Sequence, residues 1–150
     1  MRLLGCVMQS WTERDPGWVD AILEWRWTWL LARVGLTSAY FIGGVNKALD
    51  FPAAVAEQAH FGMQPAVLWA GVAVVCELVA PVLIVWGRFV WLAAGALGVL
   101  TFIASLLAND FWNKTGEAHF MALNSFFEHI GLIAGLVMAA LIAEHAKRQR

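Results

Sequence analysis

Arg33 lies inside an apolar stretch, Trp27 to Val45, that is otherwise long enough to cross a membrane. A charge at the centre of a helix in hydrocarbon costs about 2.5–3.5 kcal/mol on insertion scales, so such a residue points to a partner and to function. Glu77 in a second apolar stretch and Glu128-His129 in a fourth are the partners on offer. Depth selects between them. Arg33 enters roughly 9 Å from the inner edge of its stretch and Glu77 roughly 14 Å from the inner edge of its own, at the helical rise of about 1.5 Å per residue. The expected inner pair is therefore Arg33–Glu77.

A second polar layer is expected nearer the outer face. Asn124, Glu128 and His129 fall in the first turns of the fourth stretch, and Lys47 sits just beyond the outer end of the first. Asn124 and Glu128 are i, i+4 neighbours on one helical face. Along the first stretch, Arg33, Thr37, Tyr40, Gly44 and Lys47 recur at spacings of four and three, a seam that turns toward neighbouring helices. Glu128 and His129 suit proton exchange at a quinone headgroup, because His titrates near neutral pH. The plainer readings are that Arg33–Glu77 is a structural ion pair fixing helix register and that Lys47 anchors the interface. A bis-histidine haem is disfavoured: His60 and His119 fall in outer loops and His145 in the inner tail, so nothing matches His129 in depth.

These residues need helices to hold them. The chain is 61% hydrophobic and only 14% charged, against about 25% charged in a soluble domain. It reads as an all-α integral membrane protein, an antiparallel bundle of four transmembrane helices over about 27–45, 66–86, 89–108 and 121–143. Residues 1–26 read as a cytoplasmic or interfacial segment. There Asp15-Pro16 starts an amphipathic helix whose Trp18, Ile22, Trp25 and Trp29 share one face at the membrane interface. Asp50-Phe51-Pro52 opens a short outer helix ended near Gly62, and Gly87-Arg88 is a tight inner turn. Residues 144–150 form a basic tail.

With both termini cytoplasmic, Arg2, Arg14, Arg26, Arg88, Lys147, Arg148 and Arg150 lie inside and only Lys47 and Lys114 outside, which satisfies the positive-inside rule. Cys6 and Cys76 have no spacing of a redox pair or metal site, and no lipoprotein signal precedes Cys6. Gly35, Ala39 and Gly43, and Gly131 with Gly135, form small-residue seams of the kind that let membrane helices approach closely. Pro81 leaves the Glu77 carbonyl without its usual helical donor.

The chain resembles the DoxX-like family of small four-span membrane proteins. The resemblance runs over about residues 27–143. It is carried by Arg33, the Gly43-Gly44-Val45-Asn46-Lys47 run with Asp50-Phe51 after it, Glu77 with Pro81 and the Gly87-Arg88 turn, and Asn124 with Gly131 and Gly135. Residues 1–26 fall outside it. The resemblance implies a bacterial inner-membrane protein; some members are membrane subunits of quinone-linked sulfur oxidoreductases and others serve complexes that handle oxidative stress and thiols. No nucleotide-binding glycine loop, metal cluster or thiol pair is present, so no catalytic residue is assigned. The expected role is an accessory or anchor subunit of an oxidoreductase complex, not a complete enzyme alone, with quinone as the one cofactor to consider and none covalently bound. Its partners are the lipid bilayer, an oxidoreductase subunit and a second copy of itself; nucleic acid is not among them. Two alternatives stand beside it: a membrane chaperone or assembly factor without redox activity, and a small proton-coupled transporter.

Overall fold

The computed structural model describes residues 16–149, and these residues are helical throughout, without strands. Helix α1 spans Gly17–Glu24, α2 Arg26–Leu49, α3 Phe51–His60, α4 Ala66–Trp86, α5 Val90–Ala108 and α6 Gly116–Arg148, with one 3-10 turn at Phe111–Asn113 between the last two. Helices α4, α5 and α6 are each long and apolar enough to cross a membrane. Helix α2 is as long, but it carries Arg26, Arg33 and Lys47. The chain divides into two compact units at Leu31–Ala32, inside α2.

In the N-terminal unit the tryptophan stripe does not ride on one helix. Helix α1 ends at Glu24, and Trp25 adopts an extended backbone (φ −66°, ψ 124°) before α2 begins. The Thr28 hydroxyl donates to the Ile22 carbonyl at 2.6 Å across that break, and the Arg26 guanidinium lies 5.1 Å from the Trp27 ring centroid. Trp18, Ile22, Trp25 and Trp29 are all exposed; the rotation at Trp25 takes the last two out of the register that a continuous helix would give. Asp15, Cys6, Arg2, Arg14 and Arg150 lie outside the described residues.

The second unit inverts the pattern of a soluble domain. On α4 the inward positions are Ala66, Ala70, Ala73, Glu77, Ala80, Pro81 and Ile84, while Val67, Leu68, Val72, Val75, Val79, Val82 and Trp86 face outward. Helix α5 repeats this, with Ala93, Ala94, Leu97, Thr101 and Ser105 inward and Trp91, Leu92, Val99 and Phe102 outward. Small and polar residues inside with large apolar residues outside is the arrangement hydrocarbon favours, since lipid solvates the outer face and small residues let the backbones close up. The core centres on Ile84, Val90, Leu97 and Leu136 with the alanines around them.

Local sequence sets the joints. The Asp50 carboxylate accepts from the Ala53 N–H at 3.1 Å, capping α3 with Pro52 in its first turn. Asp50→Ala costs about 1 kcal/mol of helix stability, so amide exchange within α3 is expected to quicken about fivefold with α4 unchanged. Gly87 closes α4 in the left-handed region (φ 78°), and its N–H and that of Arg88 return to the Leu83 carbonyl. The turn is short enough to make α4 and α5 antiparallel neighbours. Helix α6 runs about a turn beyond the expected 121–143 at each end, since polar ends such as Glu117 and Lys147 can stay helical outside hydrocarbon.

Candidate functional site

Two glycines fix how α2 meets α4. A Cβ on Gly44 would stand 2.9 Å from the Glu77 Cβ and 3.1 Å from Leu78 Cγ; one on Gly43 would stand 3.3 Å from Glu77 Oε2. The α2 backbone therefore passes directly over Glu77 at this level. Ten residues earlier, a Cβ on Gly87 would lie 3.1 Å from Arg33 Nη1. Position 43 faces 77 and position 33 faces 87, as one antiparallel register requires.

That register corrects the expected Arg33–Glu77 pair. Glu77 pairs with Lys47 instead: the Lys47 ammonium donates to Glu77 Oε1 at 2.5 Å. Arg33 lies about 15 Å along α2 from Gly43 at helical rise, too far for the two side chains to meet. Counting depth from the hydropathy edge at Trp27 misplaced the helices, because close packing at Gly43 and Gly44 sets their offset. Arg33 forms no ion pair among the described residues. Its guanidinium lies over the Gly87 turn, at the carboxyl end of α4, where the helix dipole favours a cation.

Lys47 and Glu77 border a cavity of about 290 Å³ between α2, α4, α5 and α6, lined also by Tyr40, Gly43, Thr101 and His129. Thr101 donates its hydroxyl to the Leu97 carbonyl at 2.7 Å, so the 2.8 Å contact between Tyr40 and Thr101 has Tyr40 as donor. His129 Nδ1 lies 2.5 Å from the Ser125 carbonyl; a carbonyl only accepts, so Nδ1 carries the proton and the neutral ring has its lone pair on Nε2. Glu77 is 8% exposed, and its Oε2 is buried with no hydrogen-bond partner among the described residues. An unsatisfied carboxylate oxygen of this kind is costly in a low-dielectric interior.

The expected outer cluster of Lys47, Asn124, Glu128 and His129 is half assembled. Lys47 and His129 line the cavity, whereas Asn124 and Glu128 lie on the exposed side of α6. Adjacent residues on a helix point about 100° apart, and that rotation separates Glu128 from His129. Thr101 is the site residue that the hydropathy reading missed. Its signal was available: it lies four residues from Leu97 and Ser105 on the inward face of α5. No three His, Cys, Asp or Glu residues are grouped to hold a metal ion among those described. The larger hollows are outward grooves lined by apolar side chains, such as that of about 720 Å³ beside Trp91, Gly98, Phe102 and Val137.

Comparison with known proteins accords with this architecture. The chain is 27% identical over 112 residues to inner membrane protein YphA of Escherichia coli (strain K12), an alignment covering 75% of this chain and 80% of that protein. No solved structure matches it. The DoxX family model matches residues 28–110, which contain Arg33, the Gly43–Lys47 run, Glu77 and Thr101. Helices of membrane-spanning length, the Lys47–Glu77 contact over paired glycines and this match lead to one statement: the chain is a helical membrane protein of the DoxX family.

Proposed function

We propose that this protein is an inner-membrane accessory subunit of an oxidoreductase complex, crossing the bilayer four times, and that its polar cavity receives the headgroup of a quinone. The observation that carries the reading is the Lys47–Glu77 pair, which borders the same cavity as Tyr40 and His129. A charged pair in an apolar bundle is a poor stabilising device compared with packed hydrocarbon, so its presence beside a cavity favours a binding role. The volume suits one substituted ring: an apolar cavity of about 150 Å³ already holds benzene. The family resemblance supplies the quinone-linked context, and the name of the relative, inner membrane protein YphA, supports the inner membrane.

In this reading the electrons come from a partner's cofactor. Lys147 and Arg148 in the last turn of α6 favour a cytoplasmic C-terminus by the positive-inside rule, and four crossings return the N-terminus to the same side. The fourth crossing is α2, whose Lys47 charge is compensated inside the bundle.

Purification from native membranes in mild detergent tests the reading. A stoichiometric quinone with a flavin- or haem-bearing partner is the expected result. Preparations that carry immature client proteins and never quinone would speak for an assembly factor instead.

A further inference from the structure

We infer that the groove between α2 and α4 holds an anionic phospholipid, its acyl chain in the groove and its phosphate beside Arg33 and Arg88. This goes beyond the quinone reading and does not depend on it. The groove, of about 500 Å³, is lined by Val34, Phe41, Ile42, Val82 and Trp86, all of them exposed. From Val34 to Ile42 it runs roughly 12 Å along α2 at helical rise, close to the roughly 15 Å of one hydrocarbon leaflet. Its two hydroxyl groups spend their protons on α2 itself. Thr37 donates to the Arg33 carbonyl at 2.8 Å and Ser38 to the Gly35 carbonyl at 2.9 Å. The groove is therefore a seat for hydrocarbon.

Charge is gathered at one end of it. Arg33 precedes Val34, and the Gly87-Arg88 turn follows Trp86. A Cβ on Gly87 would stand 3.1 Å from Arg33 Nη1, and the Arg88 guanidinium lies 5.7 Å from the Trp86 ring centroid. Neither arginine forms an ion pair among the described residues. Glu144, which shares a groove with Trp91 at this end of the bundle, pairs with Lys147 and Arg148 instead. The amino end of α5, without a side-chain cap, stands at the same turn and offsets the negative carboxyl end of α4. Guanidinium groups bind phosphate oxygens two at a time, and tryptophan rings settle at headgroup level. A neutral apolar ligand would fill the groove and leave both guanidinium groups uncompensated. A zwitterionic lipid brings its own cation to the phosphate. An anionic lipid satisfies both ends.

The test uses the full chain in phosphatidylcholine nanodiscs doped with phosphatidylglycerol, the retained lipid being identified by native mass spectrometry. Each arginine near the headgroups contributes about fivefold to anionic-lipid affinity. Retained phosphatidylglycerol, preferred about tenfold or more over phosphatidylcholine, is therefore the expected result. Arg33→Met is expected to lower the preference about fivefold, and Arg33→Met with Arg88→Met to abolish it. Ser38→Phe fills the groove while leaving both arginines, and it is expected to release the lipid with helix content unchanged. Equal retention of the two lipids by the parent, or an undiminished preference in the double variant, would overturn the proposal. So would displacement of the lipid by inorganic phosphate together with indifference to Ser38→Phe, because a free anion would then be the ligand. Quinone bound to or absent from the polar cavity alters none of these outcomes, so the two readings fail separately.

Discussion

Lys47→Met is expected to lower stability by about 3 kcal/mol, because it leaves the Glu77 carboxylate buried with neither oxygen compensated. Glu77→Met is expected to cost less. The stranded Lys47 side chain is 27% exposed against 10% for Glu77, and a lysine stem can carry its ammonium outward to the interface. Changing both to methionine should recover most of the loss, since a buried pair replaced by packed apolar groups is often neutral or better. Reversible unfolding of the four proteins in mixed micelles gives the coupling energy directly. Arg33→Met supplies the contrast, and a loss of about 1 kcal/mol or less is expected there because no carboxylate depends on it. A Lys47→Met protein as stable as its parent would mean that the pair does not form in the bilayer.

Gly44→Val is expected to cost about 2–3 kcal/mol, the upper part of the range for overpacking. The added Cβ meets Glu77 Cβ at 2.9 Å and Leu78 Cγ at 3.1 Å. Those atoms sit close to the α4 backbone and cannot swing aside as the tip of a long side chain can. The helices must separate, and separation also draws Lys47 away from Glu77. Gly35→Val, on the same helix with nothing within 4 Å, is the matched control and should be nearly neutral. Equal losses at the two positions, measured by unfolding in micelles, would argue that β-branching within α2 dominates and that the close approach is unimportant.

Much of the frame was legible in the sequence for simple reasons. Ala66–Trp86 ends where Gly87 must take φ 78°, and Asp50-Phe51-Pro52 carries its own cap. The inward turn of the Thr37, Tyr40, Gly44 and Lys47 seam follows from helical periodicity alone: Thr37 and Gly44 are buried. Pairing across helices was less accessible. Helical rise gives depth along one helix, but the offset between two helices depends on which small residues touch, and Gly35 and Gly43 look alike in sequence. Only Gly43 and Gly44 contact α4, and that choice gives Glu77 to Lys47. Likewise, the polarity of Glu128-His129 drew both residues into one site, while the geometry of adjacent helical positions admits one.

Photoaffinity labelling tests the central claim most directly. An azido-benzoquinol applied to the intact protein in nanodiscs, followed by peptide mapping, is expected to label the segments around Tyr40, Thr101 and His129. An excess of unlabelled quinol should suppress that labelling. Label confined to outward residues such as Val79 and Phe102 and insensitive to competition would contradict the account, because the probe would then be dissolved in lipid and the polar cavity would be only a feature of packing.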